Sequence, residues 1–111
     1  MSRAADERVR DILVAIDRCT SYRDYLDSFD HSAMAYDAVL RNLAVIGEAV
    51  RALPGEFKAE RPRTPWASIA GLRNIVIHEY FRVNLELIRD IVDNDLTALA
   101  ESLRDGPKGL E

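Results

Sequence analysis

The chain contains one cysteine, Cys19, so no disulfide can staple its fold from within. A reducing, cytoplasmic setting suits such a chain, and a small buried apolar role suits Cys19 itself. No apolar run approaches the roughly 20 residues needed to cross a bilayer, so no membrane association is expected. The stretch Met1 to Glu7 lacks the apolar segment of a signal peptide. Only two histidines are present, and no cysteine cluster accompanies them, which leaves no recognised zinc pattern. Neither a metal nor a cofactor is therefore expected. Internal repeats, low-complexity tracts and strand-like alternation are also missing, and with them the repeat and all-β architectures.

What remains is an ordinary globular balance, 48% hydrophobic and 31% charged. At 111 residues it is enough for one domain, residues 1–111, around a single core. The formal net charge of −4 argues against a polyanionic partner, but its distribution argues less strongly. Six basic residues (Arg51, Lys58, Arg61, Arg63, Arg73, Arg82) face three acids between positions 51 and 82, a local excess of three positive charges. Either a polyanion docks there, with salt-dependent affinity, or these are ordinary solvated side chains.

Four helical segments stand out. The first spans about Ala4 to Leu26, with Val9, Ile12, Leu13, Ile16 and Cys19 on one face. The second follows a start signal at Asp30-His31-Ser32 and ends before Pro54-Gly55, because proline cannot continue a helix. A charged, proline-containing connection covers 54–64. The third helix opens with Thr64 as N-cap and Pro65 at the first helical position and runs through Trp66 to about Phe81. The fourth starts at Asn84 and stops at Gly106-Pro107. The expected fold is all-α, an up-down four-helix bundle with extra short helical turns.

The second helix carries two stripes. Tyr36, Val39, Leu40, Leu43, Ile46, Val50 and Leu53 form the core face, while Ala38, Val45, Ala49 and Ala52 gather opposite it around Asn42. The small-residue stripe suits close approach of a second copy of the chain, or else reflects alanine as a good helix former.

Chemistry concentrates on the third helix, in Arg73-Asn74-Ile75-Val76-Ile77-His78-Glu79-Tyr80. Arg73 and Tyr80 fall within ~20° of each other on a helical wheel, and Asn74 stacks beneath His78. His78 lies ~140° around and about 7.5 Å along the axis from Arg73. One copy of the helix does not converge these groups on a single atom; two copies across a two-fold axis would. A guanidinium that grips phosphate and an imidazole that moves protons suit metal-free RNA cleavage. Asn74 would orient His78 or donate to the phosphate. Glu79 falls amid the apolar arc and fits no role. His31 reads as a helix-start residue, and Trp66 as the hydrophobic anchor of the third helix.

Arg41-Asn42-Leu43-Ala44-Val45-Ile46-Gly47-Glu48-Ala49, Pro65-Trp66, and Gly71-Leu72-Arg73-Asn74 through His78-Glu79-Tyr80 together resemble the HepT-like toxins of the HEPN superfamily. The resemblance implies a homodimeric helical bundle with a composite site at the dimer interface. It implies a toxin of a type II toxin–antitoxin system, a metal-independent endoribonuclease acting on RNA or tRNA through 2′-hydroxyl attack to leave a cyclic phosphate. Arg73 and His78 would be catalytic and Asn74 supporting. The implied partner is a nucleotidyltransferase antitoxin of the MNT type, which would transfer AMP to Tyr80. Added phosphates beside Arg73 would occupy charge meant for RNA. The alternative is a non-catalytic dimer that holds nucleotide or docks the partner enzyme, regulated by AMPylation.

Overall fold

Two long helices carry much of the core. α1 (Arg3–Arg23) and α2 (Ser32–Ala52) are joined through a 3₁₀ turn at Asp24–Asp27, and they pack along each other as a hairpin. The computed structural model describes residues 3–79, 82 and 84–105, with residues 3, 4, 79 and 105 described through the backbone alone. After α2 come two short helices, α3 (Gly55–Ala59) and α4 (Trp66–Ala70), and then α5 (Leu72–Glu79). The last segment is α6 (Leu85–Asp90), a π-helical stretch Ile91–Leu96, and α7 (Thr97–Asp105). No strand occurs among the described residues, and the fold is an all-α helical bundle. None of the described helices is long and apolar enough to cross a membrane.

Every residue of the expected core stripe on α2 is buried, from Tyr36 and Val39 through Ile46 and Val50 to Leu53. Helix periodicity explains this: positions three and four apart share a face, and that face meets α1 on one side and α4–α5 on the other. Ile12, Ile16 and Cys19 complete the interface from α1. The opposite stripe divides. Ala49 and Asn42 are buried, with the Asn42 amide turned back to donate to the Ala38 carbonyl at 2.8 Å, whereas Val45 remains 42% exposed.

Asn84 caps α6 as expected, its side-chain oxygen accepting from the Leu87 N–H at 3.1 Å. Thr64 does not cap α4. Its hydroxyl is shared with Ser102 at 2.6 Å, tying the connection to α7, and Pro65 takes the capping position without a side-chain bond. The third helix is also not continuous: Gly71, the poorest helix former after proline, interrupts it between α4 and α5. The 54–64 connection, expected as irregular, contains α3. Phe57 on that helix is buried against Trp66 in an edge-on contact at 6.3 Å, and the Trp66 indole donates to the Lys58 and Arg61 carbonyls. Trp66 thus anchors the segment. Phe81, Gly106 and Pro107, expected helix boundaries, lie outside the described residues.

The π-helical stretch has a cause in the apolar spacing. Ile88, Val92 and Leu96 are all buried and advance by four residues each time. In a 3.6-residue turn each such step overshoots by about 40°, and wider i→i+5 turns absorb the drift. Arg23 at the end of α1 grips Asp93 in this stretch with two hydrogen bonds, at 2.9 and 2.8 Å. That fork holds the Asp93 carboxyl below the usual carboxylate range. Arg89 makes a further ion pair with Asp27.

Cys19 is fully buried, and burial pushes its thiol up to about 12. The thiolate is the reactive form. Iodoacetamide at pH 8 should therefore leave Cys19 unmodified in the folded protein and alkylate it within minutes in urea, as read by intact mass.

Candidate functional site

α5 is amphipathic, and this fixes which side chains face outward. Leu72 is buried and Ile75 and Val76 are half-buried against α2, while Arg73, Asn74, Ile77 and His78 are exposed. The start of the helix is seated by the Gly71 carbonyl, which accepts from the Asn74 and Ile75 N–H groups. Arg73 and His78 share the exposed side, but no hydrogen bond joins them among the described residues. The separation expected from five helical positions, ~140° and about 7.5 Å, stands. Tyr80 and the side chain of Glu79 lie outside the described residues.

The residue that does meet Arg73 is Glu48. Its Oε1 lies 2.8 Å from Arg73 Nη1. The sequence block Ile46-Gly47-Glu48 explains how. Ile46 is buried and fixes the rotation of α2. At Gly47 the two backbones approach so closely that an added Cβ would stand 3.2 Å from the Arg73 nitrogen and 3.3 Å from the Ala70 carbonyl oxygen. One residue further on, Glu48 is brought within reach of the guanidinium. Sequence reasoning quoted this block for its resemblance but gave Glu48 no role. A signal was present, since a glycine inside a long helical pattern is costly and marks a close backbone approach.

Glu48 also borders a broad groove of about 730 Å3 between α1 and α2, lined in addition by Arg8, Asp11, Val14, Arg18 and Arg41. None of these three arginines is ion-paired among the described residues. The local basic excess expected over 51–82 is not one patch. Arg61 is buried with its guanidinium 3.9 Å above the Phe57 ring, and Arg73 is paired with Glu48. His31 stands at the start of α2, without a capping bond, edge-on to Tyr25 at 5.9 Å. No group of three or more His, Cys, Asp or Glu side chains able to hold a metal ion occurs among the described residues.

Comparison with known proteins places this geometry in context. The ribonuclease HepT-like family matches residues 12–105. "Putative RNase MJ0127" of Methanocaldococcus jannaschii is 42% identical over 83 residues, covering 71% of this chain and 69% of that protein. "Probable ribonuclease HepT" of Thermococcus cleftensis is 31% identical over 101 residues, 89% of this chain and 92% of that protein. "Putative RNase TTE0752" of Caldanaerobacter subterraneus is 40% identical over 68 residues, 61% of each. No solved structure matches the chain.

The backbone atoms facing Gly47 cannot rotate aside as a side chain would. Gly47→Ala gains about 1 kcal/mol of helix propensity but overpacks the junction by roughly 1–3 kcal/mol. Urea unfolding should show a net loss of about 1 kcal/mol.

Proposed function

Because the chain belongs to the ribonuclease HepT-like family, we propose that it is the toxin of a type II toxin–antitoxin pair and cleaves RNA, tRNA foremost, without a metal. The observation that carries this reading is the outward side of α5, where Arg73, Asn74 and His78 are open to solvent on one short helix. A guanidinium binds phosphate through paired N–H donors and offsets the charge that develops at phosphorus. An imidazole supplies or removes a proton during attack by the 2′-hydroxyl, and the product is a 2′,3′-cyclic phosphate. Asn74 is placed to donate to the same phosphate.

A single α5 spreads Arg73 and His78 too widely to surround one phosphodiester. Two copies related by a two-fold axis bring both pairs to one cleft. Ile77, 59% exposed between Asn74 and His78, supports such a pairing, because a homodimer contact along α5 would cover it. The proposed regulator is an MNT-type nucleotidyltransferase that attaches AMP to the Tyr80 hydroxyl. Negative phosphates placed near Arg73 then compete with RNA for its charge.

A second reading is a non-catalytic dimer that binds nucleotide or docks the partner enzyme. The overall charge of −4 favours it, since an acidic surface repels a long polyanion.

Purified protein should cut total tRNA in EDTA and leave cyclic phosphate ends. Arg73→Ala and His78→Ala should each lower the rate by about 10²–10⁴-fold with unchanged urea midpoints. Undiminished cutting by His78→Ala removes the proposed chemistry, and inert wild-type protein favours the docking module. Co-expression with an MNT-type enzyme should add AMP to the wild type and none to Tyr80→Phe, as read by intact mass.

A further inference from the structure

The contact between Glu48 and Arg73 does little for the fold. Both side chains are about half exposed, 53% and 51%, and ion pairs of that kind contribute only about 0–1 kcal/mol. Yet α2 accepts a glycine at position 47 to make the approach, at a cost of about 0.5–1 kcal/mol relative to alanine. A costly device that delivers a carboxylate to a solvent-reachable arginine calls for a reason outside stability.

Phosphodiester cleavage supplies one. The reaction needs a group to take the 2′-proton, a group to give a proton to the leaving oxygen, and positive charge at phosphorus. The outer side of α5 offers one imidazole and one guanidinium. The guanidinium has five N–H donors in a fixed fork, and Glu48 engages it through Nη1, which leaves donors free for phosphate. A phosphate gripped by Arg73 is therefore held beside the Glu48 carboxylate, and the 2′-hydroxyl of the nucleotide on its 3′ side hangs next to that phosphate. Building on the ribonuclease reading above, we propose that Glu48 is the general base of the cleavage and His78 the general acid.

The step balances as follows. The 2′-hydroxyl gives its proton to a Glu48 carboxylate oxygen while the 2′-oxygen forms a bond to phosphorus. The bond between phosphorus and the 5′-oxygen breaks, and the His78 imidazolium gives its proton to that departing oxygen. The products are a 2′,3′-cyclic phosphate and a free 5′-hydroxyl. Glu48 then returns its proton to water and His78 regains one, so the protein is unchanged. Arg73 touches both partners of the reaction, the base and the phosphate, and fixes their relative position.

The charged groups around Glu48 are Arg73 on α5, Arg8, Asp11 and Arg18 across the groove on α1, and Arg41 on its own helix. Arginines do not titrate in the working range, so Asp11 is the carboxylate to separate from Glu48. Single-turnover cleavage of total tRNA between pH 4 and 9 makes the distinction. Glu48→Gln keeps an oxygen to accept from Arg73 but cannot take the proton. It should lower the rate by about 10²–10⁴-fold, lose the acidic limb of the pH profile, and bind tRNA as tightly as wild type or more so. Glu48→Asp should restore part of the rate, and Asp11→Asn should keep the acidic limb. Glu48→Gln that cuts within a few-fold of wild type with its acidic limb intact overturns the base assignment and leaves the ribonuclease reading standing. Wild-type protein that cuts no tRNA overturns both.

Discussion

The close approach of α2 to the junction of α4 and α5 is the constraint on which the rest of the molecule turns. A side chain of any size at Gly47 would stand in the path of the Arg73 backbone nitrogen. With hydrogen there instead, Ile46 and Val50 seat in the core on one side and Glu48 meets Arg73 on the other. Packing and chemistry are thus set by the same contact. α5 is only eight residues long, too short to hold its shape alone in water. Its orientation is inherited from α2, as is the position of each group it displays.

Much of the fold was legible because it rests on local rules. The buried stripe of α2 follows from periodicity, the stop before Pro54 from the missing N–H of proline, and the start of α6 from the capping oxygen of Asn84. The failures share a different origin. Thr64 is a sound cap by local rules, but its hydroxyl is claimed by Ser102, 38 positions away. The break at Gly71 depends on neighbours that no window around it contains. α3 forms inside a charged connection because Phe57 finds Trp66. Arg73, Asn74 and His78 were visible as one helix face, whereas the pairing of Arg73 with Glu48 joins positions on different helices and had no local trace beyond an unexplained glycine.

Counting charges along the sequence misjudged the surface in an instructive way. Arg61 belongs to the basic stretch by position, yet it lies flat on an aromatic ring with almost no exposure. Arg8, Arg18 and Arg41, scattered among acids in the sequence, border one groove because α1 and α2 run side by side. An acidic protein can present a locally favourable path to an anion when its helices collect a few cations from distant positions.

The π-helical stretch at Ile91–Leu96 also sets the tolerance of the chain to changes in length. Because it stores slack between two regular helices, loss of one residue there would tighten it into an ordinary helix and swing everything after Leu96 by about 100°. Leu99 and Leu103 would then turn from the core toward water, and Ser102 would leave Thr64. Point substitutions in this stretch leave the phasing intact, so its length is under tighter constraint than its composition.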